Sequence, residues 1–183
     1  SATSFNGRPG VTLDGSDDEL TYAGVGVFPV GTTECEIWTL LDQTALAADS
    51  TVRALFSYGG NTAASRRTMQ RGVSAGANVA QARIGNGSSS VTPSGTGDYS
   101  GRHVVRAVSS LTDIRVDVDG VVGSASAVVP SIGSTRTRIG ALNSDTAASF
   151  CQGVLSLVAV TAPLTTDEAA QMLTYLKTRG GIA

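Results

Sequence analysis

The stretch Val11 to Leu20, VTLDGSDDEL, places Asp14, Asp17, Asp18 and Glu19 within six positions of a chain whose charged residues total only 15%. Carboxylates gathered this closely could hold a metal ion, exchange protons with a substrate, or turn a corner. Calcium takes about 6–8 oxygens, so a loop with three carboxylates supplies roughly half a shell. An EF-hand-like loop needs acids at alternating positions followed by a Gly and a distant Glu, and this spacing differs. Turn chemistry accounts for the run more directly. Asp14 accepts backbone N–H bonds in an Asx turn at Gly15-Ser16, and the other acids are solvated. No metal and no cofactor is expected.

His103 is the only histidine, so a Ser-His-Asp or Cys-His site would have to be built on it alone. It alternates with Val104 in GRHVVRAV and has no polar partner nearby in sequence, which reads as a structural position. Cys35 and Cys151 allow at most one internal disulfide, and their number and spacing exclude a zinc ribbon or a Cys-x-x-Cys redox site. Aromatic platforms for sugar rings are scarce, with four Tyr, four Phe and one Trp. Trp38 reads as core. Tyr58 and Asn61 around SYGGN, and Asp98 and Tyr99 in a long polar loop, are the residues best placed for ligand binding. The arginines at 53, 66, 67, 71, 83, 102 and 106 are spread over alternating strands. They suit acidic sugars or a partner's carboxylates, or simply a solvated sheet face.

The remaining composition narrows the class. At 183 residues the chain is long enough for one domain that buries about 70% of the surface its unfolded form exposes. Hydrophobic residues make up 41%, and the net charge is −2, which gives no field drawing the chain to nucleic acid or anionic lipid. Neither nucleic acid nor membrane is expected as a partner. No apolar run reaches the ~18–20 residues of a bilayer span. No signal peptide is seen. The chain opens on Ser1, which reads as a processed product or the ordered part of something longer.

The 22 glycines, together with abundant Ser, Thr, Val and Ala, favour short strands joined by tight turns. Period-2 runs predict strands over 10–14, 19–28, 34–42, 52–58, 66–73, 77–84, 102–108, 113–119, 121–129, 135–141 and 149–161. Asp119-Gly120 between two alternating runs signals a hairpin. Two strands are apolar on both faces and belong at the centre of a covered sheet. In ECEIWTLLD, Ile37 and Leu41 oppose Trp38 and Leu40. In GVLSLVAVT, Val154, Val158 and Val160 oppose Leu155, Leu157 and Ala159. In DIRVDVDG, by contrast, Ile114, Val116 and Val118 face in, while Asp113, Arg115, Asp117 and Asp119 face a solvated surface. Only the C-terminus reads as helix. Thr165 and Glu168 form a capping box, Ala169, Met172, Leu173 and Leu176 make an apolar stripe, and Gly180 or Gly181 ends it. The expectation is one all-β domain over 1–183, an antiparallel β-sandwich of jelly-roll type with one short C-terminal α-helix.

The order of these pieces resembles a known family. NGRPGVTLDGSDDEL is similar to the opening of concanavalin A-like, laminin-G-like jelly rolls, and ECEIWTLLD to their long central strand. DIRVDVDGVV resembles the hairpin with the family's Asp-Gly turn. TRIGAL, followed by FCQGVLSLVAVTAPLTTDEAAQMLTYLKTRGG, resembles the close of the fold. Compact versions with this closing helix resemble modules of phage virion and bacterial surface proteins.

The resemblance implies that the strands starting near Glu34 and Phe150 pair antiparallel. That puts Cys35 and Cys151 at opposite ends of the ladder, ~20 Å or more apart. A disulfide needs Cα atoms within about 7 Å, so two free, largely buried thiols are expected. Related glucanases carry Glu-x-Asp-x-x-Glu on one strand. Here Glu34-Cys35-Glu36 is the nearest match and Thr39 stands where the third acid would be, so the retaining pair is incomplete. The implied function is a non-enzymatic module on a virion or extracellular surface. It would bind a host-surface glycan, in the manner of phage tail or head-fibre modules, or else serve as a structural decoration or assembly subunit in contact with other virion proteins or itself. A glycoside hydrolase is the third reading.

Overall fold

The computed structural model describes residues 2–22, 28–43, 52–74, 77–88, 90–95, 99–133, 136–142 and 149–183. The strands in the first half are β1 (Ala2–Phe5), β2 (Arg8–Asp14), β3 (Leu20–Tyr22), β4 (Cys35–Asp42), β5 (Arg53–Gly59), β6 (Arg66–Ser74) and β7 (Ala77–Gly85). They are followed by β8 (Ser90–Val91), β9 (Arg102–Ser109), β10 (Asp113–Val118), β11 (Val121–Ala127), β12 (Arg136–Ile139), β13 (Gln152–Thr161) and one helix, α1 (Thr166–Gly180). They form a seven-stranded sheet, β1-β2-β13-β4-β9-β10-β11, stacked on a six-stranded sheet, β3-β12-β5-β6-β7-β8. The named pairings within both sheets are antiparallel. The expected sandwich with a C-terminal helix is the observed architecture.

Each predicted strand has an observed counterpart, although the run 19–28 is a strand only over Leu20–Tyr22, and 23–27 lie outside the described residues. The strand β1 was not foreseen. It turns into β2 at Asn6-Gly7, both at positive φ (49° and 73°), a pair suited to a tight hairpin. Asp119-Gly120, at 51° and 90°, makes the same kind of turn between β10 and β11, as its sequence predicts.

Strand β4 is covered on both sides. Ile37 and Leu41 enter the core between the sheets, whereas Trp38 and Leu40 join a second core beneath α1 with Phe5, Val104, Ala169 and Leu176. The neighbouring β13 departs from the simple alternation. Its register against β4 shifts between Leu155 and Leu157. This bulge puts Leu155 with Val158 and Val160 toward the inter-sheet core, and Val154 with Leu157 and Ala159 toward the helix. The predicted grouping of Val154 with Val158 is corrected accordingly.

The helix is built as its sequence specifies. Thr165 Oγ1 accepts the Glu168 N–H, the Glu168 carboxylate accepts the Thr165 N–H, and Gly181 closes the end in the left-handed region. The segment 84–101, expected to be an irregular loop, instead bonds to β7 at Pro93, Gly95 and Tyr99 among its described residues. The Ala82 N–H donates to Pro93 O, Gly95 N–H to Ala80 O, and Tyr99 N–H to Asn78 O. From there Ser94 reaches across to β11: the Ser124 N–H and Oγ both donate to Ser94 O, and the Ser94 N–H donates to Ser124 Oγ. One margin of each sheet is thereby joined to the other. Cys35 and Cys151 are free and buried, at opposite ends of the β4–β13 ladder as expected.

Because Leu176 is fully buried in the second core, Leu176→Ala is expected to destabilise the fold by about 2–5 kcal/mol. Urea unfolding checks this. A loss below about 1 kcal/mol would mean that the helix is not integral to the domain.

Candidate functional site

The acidic corner holds itself together. Asp14 Oδ1 accepts the Ser16 N–H at 2.7 Å, the expected Asx turn, and Asp18 Oδ2 accepts the Asp14 N–H at 2.9 Å. Glu19 pairs with Arg138 at 3.3 Å and accepts the Thr21 hydroxyl. Asp18 and Glu19 are therefore structural partners and not merely solvated acids. One carboxylate oxygen from each of Asp14, Asp17 and Asp18 lies within 4.8 Å of the others. Two of the three are engaged by the backbone of the turn they stabilise.

The candidate acid pair is committed elsewhere as well. Glu36 is 1% exposed and accepts Arg106 Nε at 3.1 Å and Nη2 at 2.5 Å, Trp38 Nε1 at 2.9 Å and the Leu164 N–H at 3.2 Å. Four donors converge on its two oxygens, which gives this carboxylate a structural place between β4, β9 and the entry to α1. The chain of charges continues outward. Asp117 lies 3.6 Å from Arg106 and 3.2 Å from Arg115, and the Arg106 guanidinium stacks over the Trp38 ring at 5.0 Å. Asp117 is thus buried beneath the helix side of the sheet, and the outward face of β10 is not the solvated surface expected of it. Glu34 accepts the Leu111 N–H at 2.9 Å.

Two of the sequence candidates for ligand binding lie in the interior. Tyr58, 2% exposed, is in phase with Phe56 on β5 and points between the sheets, against Phe28 and Phe56. Its hydroxyl meets Arg67 Nη1 at 2.7 Å and Cys35 Sγ at 3.4 Å, and burial raises its pKa. Tyr99, 3% exposed, packs its ring 5.6 Å from His103, and burial likewise raises its pKa. Neither offers a ring face to a ligand. Arg67 and Arg71 are also core residues and not part of a solvated face. Nη1 of Arg67 meets the Tyr58 hydroxyl, Cys35 Sγ and Pro29 O, and Nη2 donates to Thr33 O, while its buried Nε has no partner among the described residues. Asp98 lies outside the described residues.

Asn61 is exposed, and its carbonyl accepts Arg66 Nη1 at 3.3 Å. Arg66, itself buried together with Ser57, Thr68 and Gln70, starts a polar layer that periodicity alone did not assemble. Antiparallel register aligns Arg138, Ser57, Thr68 and Arg83 in one row across four strands, and Arg136, Gly59 and Arg66 in the next. Residues directly opposite share a face, so four guanidinium groups gather on the outward side of the six-stranded sheet. Ser57 Oγ and Thr68 Oγ1 lie 3.1 Å apart between them, beside the Gln70–Gln81–Ser94 amide chain. Burial first, and the Arg83 cation second, pull the Arg66 pKa down. Such a like-charged cluster favours an incoming anion.

His103 has partners that its sequence neighbourhood hid. Its Nδ1 lies 2.7 Å from Asp119 Oδ2 and its Nε2 lies 2.8 Å from Ser100 O. Burial disfavours the Asp119 charge, but hydrogen bonds from His103 and the Val104 N–H, with the His103 and Lys177 charges, outweigh it and hold the carboxyl below its ordinary value of 3.8.

No protein-family model and no curated protein matches the sequence. Solved structures do match in shape. Domains LG4-5 of the mouse laminin α1 chain superpose with a TM-score of 0.61 at 17% identity, covering 82% of this chain and 40% of that one. The CBM40 module of the Ruminococcus gnavus IT-sialidase, solved bound to α2,3-sialyllactose, gives 0.60 at 12% identity, covering 84% of this chain and 97% of that module. The enzymatically active domain of bacteriophage CBA120 tailspike protein 2 gives 0.61 at 13% identity, covering 94% of this chain and 27% of that one. The chain therefore spans well under half of the laminin fragment and of the tailspike. It shares the jelly-roll fold of lectin-like and carbohydrate-binding modules. Among the described residues, no helix is long and apolar enough to cross a membrane.

A folded-state pKa held below the unfolded one makes Asp119 stabilising above about pH 3.8, with the contribution lost as pH falls through the lowered value. Asp119→Asn, which keeps the turn geometry, is expected to flatten the acid limb of the stability–pH curve below about pH 4. Thermal melts across that range test this, and identical acid limbs would refute it.

Proposed function

We propose that the chain is a non-enzymatic recognition module that binds carboxylate-bearing glycans on the outward face of its six-stranded sheet. The observation that carries this reading is the row of half-buried guanidinium side chains of Arg83, Arg136 and Arg138, backed by the buried Arg66, Ser57, Thr68 and Gln70, with half-buried Gln81 beside it and exposed Asn61 at the rim. Arginine forks match carboxylates bidentately, and the side-chain amides of Gln81 and Asn61 are of the kind that meets sugar hydroxyls directionally. A fold shared with a module solved on sialyllactose supports the ligand class, and one shared with a phage tailspike domain supports display on a virion or extracellular surface. Glu36 enclosed by four donors and Glu34 held by a backbone N–H support a role without hydrolysis.

Calorimetric titration with sialylated and desialylated forms of one oligosaccharide tests the reading. Binding of the acidic form alone is expected, weakened about tenfold or more by Arg83→Ala, since a charge-assisted hydrogen bond contributes about 1.5–3 kcal/mol. Absence of binding at millimolar ligand, or equal affinity for the neutral form, would overturn it.

One observation favours a second reading, an assembly subunit. Strand β11, Val121–Ala127, is an edge strand with no charged residue, and Val121 and Val122 are each about 60% exposed. Under that reading the isolated chain self-associates, and light scattering after size exclusion gives more than one chain mass. A monomer at tens of micromolar would exclude it.

A further inference from the structure

A cavity lies on the opposite side of the molecule from the arginine rows, between α1 and the outward face of the seven-stranded sheet. It encloses about 440 Å³. Its walls are aliphatic: Val104, Val108 and Val122 from the sheet, Leu164 from the helix entry, and Leu173 from α1. At one place the β10–β11 turn closes against the helix, where a methyl group on Gly120 would come within 2.7 Å of Leu173 Cδ2. The floor is the charge ladder already described. Within it Arg106 is spent, with Nε and Nη2 on Glu36 and its guanidinium over Trp38.

Arg115 is different. Its Nε donates to Asp117, while Nη1 and Nη2 have no partner among the described residues, and its side chain is 37% exposed at the cavity. A planar guanidinium with two outward N–H groups free is a fork for a carboxylate. The surroundings argue against a sugar as the remainder of the ligand. Trp38 has Arg106 over its ring, and the walls carry few hydroxyl or amide groups to meet sugar hydroxyls. They suit a saturated hydrocarbon chain.

We propose that this cavity binds a single-chain aliphatic carboxylate, with the carboxylate on the free Nη1 and Nη2 of Arg115 and the hydrocarbon among Val108, Val122, Leu164 and Leu173. This site is independent of the glycan-binding face.

The sole tryptophan lines the cavity and reports on its contents. Decanoate titrated below its micellar concentration is expected to give a saturable change in Trp38 emission, and decanol to bind at least tenfold more weakly. Arg115→Ala should lower decanoate affinity about tenfold or more, with Arg115→Lys retaining part of it. Ala170→Phe, which fills the cavity from the helix, should abolish the change. Circular dichroism confirms folding of each variant, and chemical-shift changes of carboxyl-labelled decanoate provide a second readout that does not rely on Trp38. Absence of saturable binding, equal affinity for decanol, or an unaltered Arg115→Ala affinity would overturn the proposal. Sialylated-oligosaccharide binding should be the same in Arg115→Ala as in the unmodified chain, so failure of either proposal is distinguishable from failure of the other.

Discussion

Ile37 and Leu41 on one face of β4, and Trp38 and Leu40 on the other, leave neither face fit for water. A two-layer sandwich buries only one face of each sheet. The second needs another cover, and α1 is that cover. The capping box at Thr165, the stripe through Ala169 and Leu176, and the Glu36 carboxylate that accepts the Leu164 N–H all serve to seat the helix over β4. The β13 bulge belongs to the same requirement, because it lets one strand present a different set of apolar residues to each core.

Burying charge under that helix would be unfavourable without partners. The structure supplies them as a cross-strand chain, Glu36–Arg106–Asp117–Arg115, in which all but the last are closely enclosed. Arg67, inside the sandwich, is held by a different route, its two Nη groups bonded to acceptors contributed by Pro29, Thr33, Cys35 and Tyr58. These buried cations separate what holds the domain together from what it offers outward. Arg83, Arg136 and Arg138 lie half-buried on the outward rows of the other sheet.

Much of this was legible from period and turn chemistry. The strands, the Asp119-Gly120 hairpin and the helix with both caps follow from local pattern, and the resemblance to laminin-G-like jelly rolls orders them correctly and implies the free cysteines. Asn6-Gly7 carried a hairpin signal as good as Asp119-Gly120, yet β1 went unread because Ala2–Phe5 is too short to show alternation. Tyr58 was misplaced although it is in phase with the inward Phe56, a signal that proximity to Gly59-Gly60 obscured. Other features lie beyond local reading. The bulge in β13, the long segment laid along β7, and the partners of Glu36, Arg67 and His103 depend on register between strands distant in sequence. The arginine rows likewise emerge only when β12, β5, β6 and β7 are aligned.

The Ser94–Ser124 stitch gives the two sheets a spine. The leaves are tied again toward β1 and β3, where the Ala54 N–H donates to Ser149 O and the Cys151 N–H to Gly140 O, so the sandwich is pinned at two separate places. A lengthened chain near Ser94 would be felt in both leaves at once.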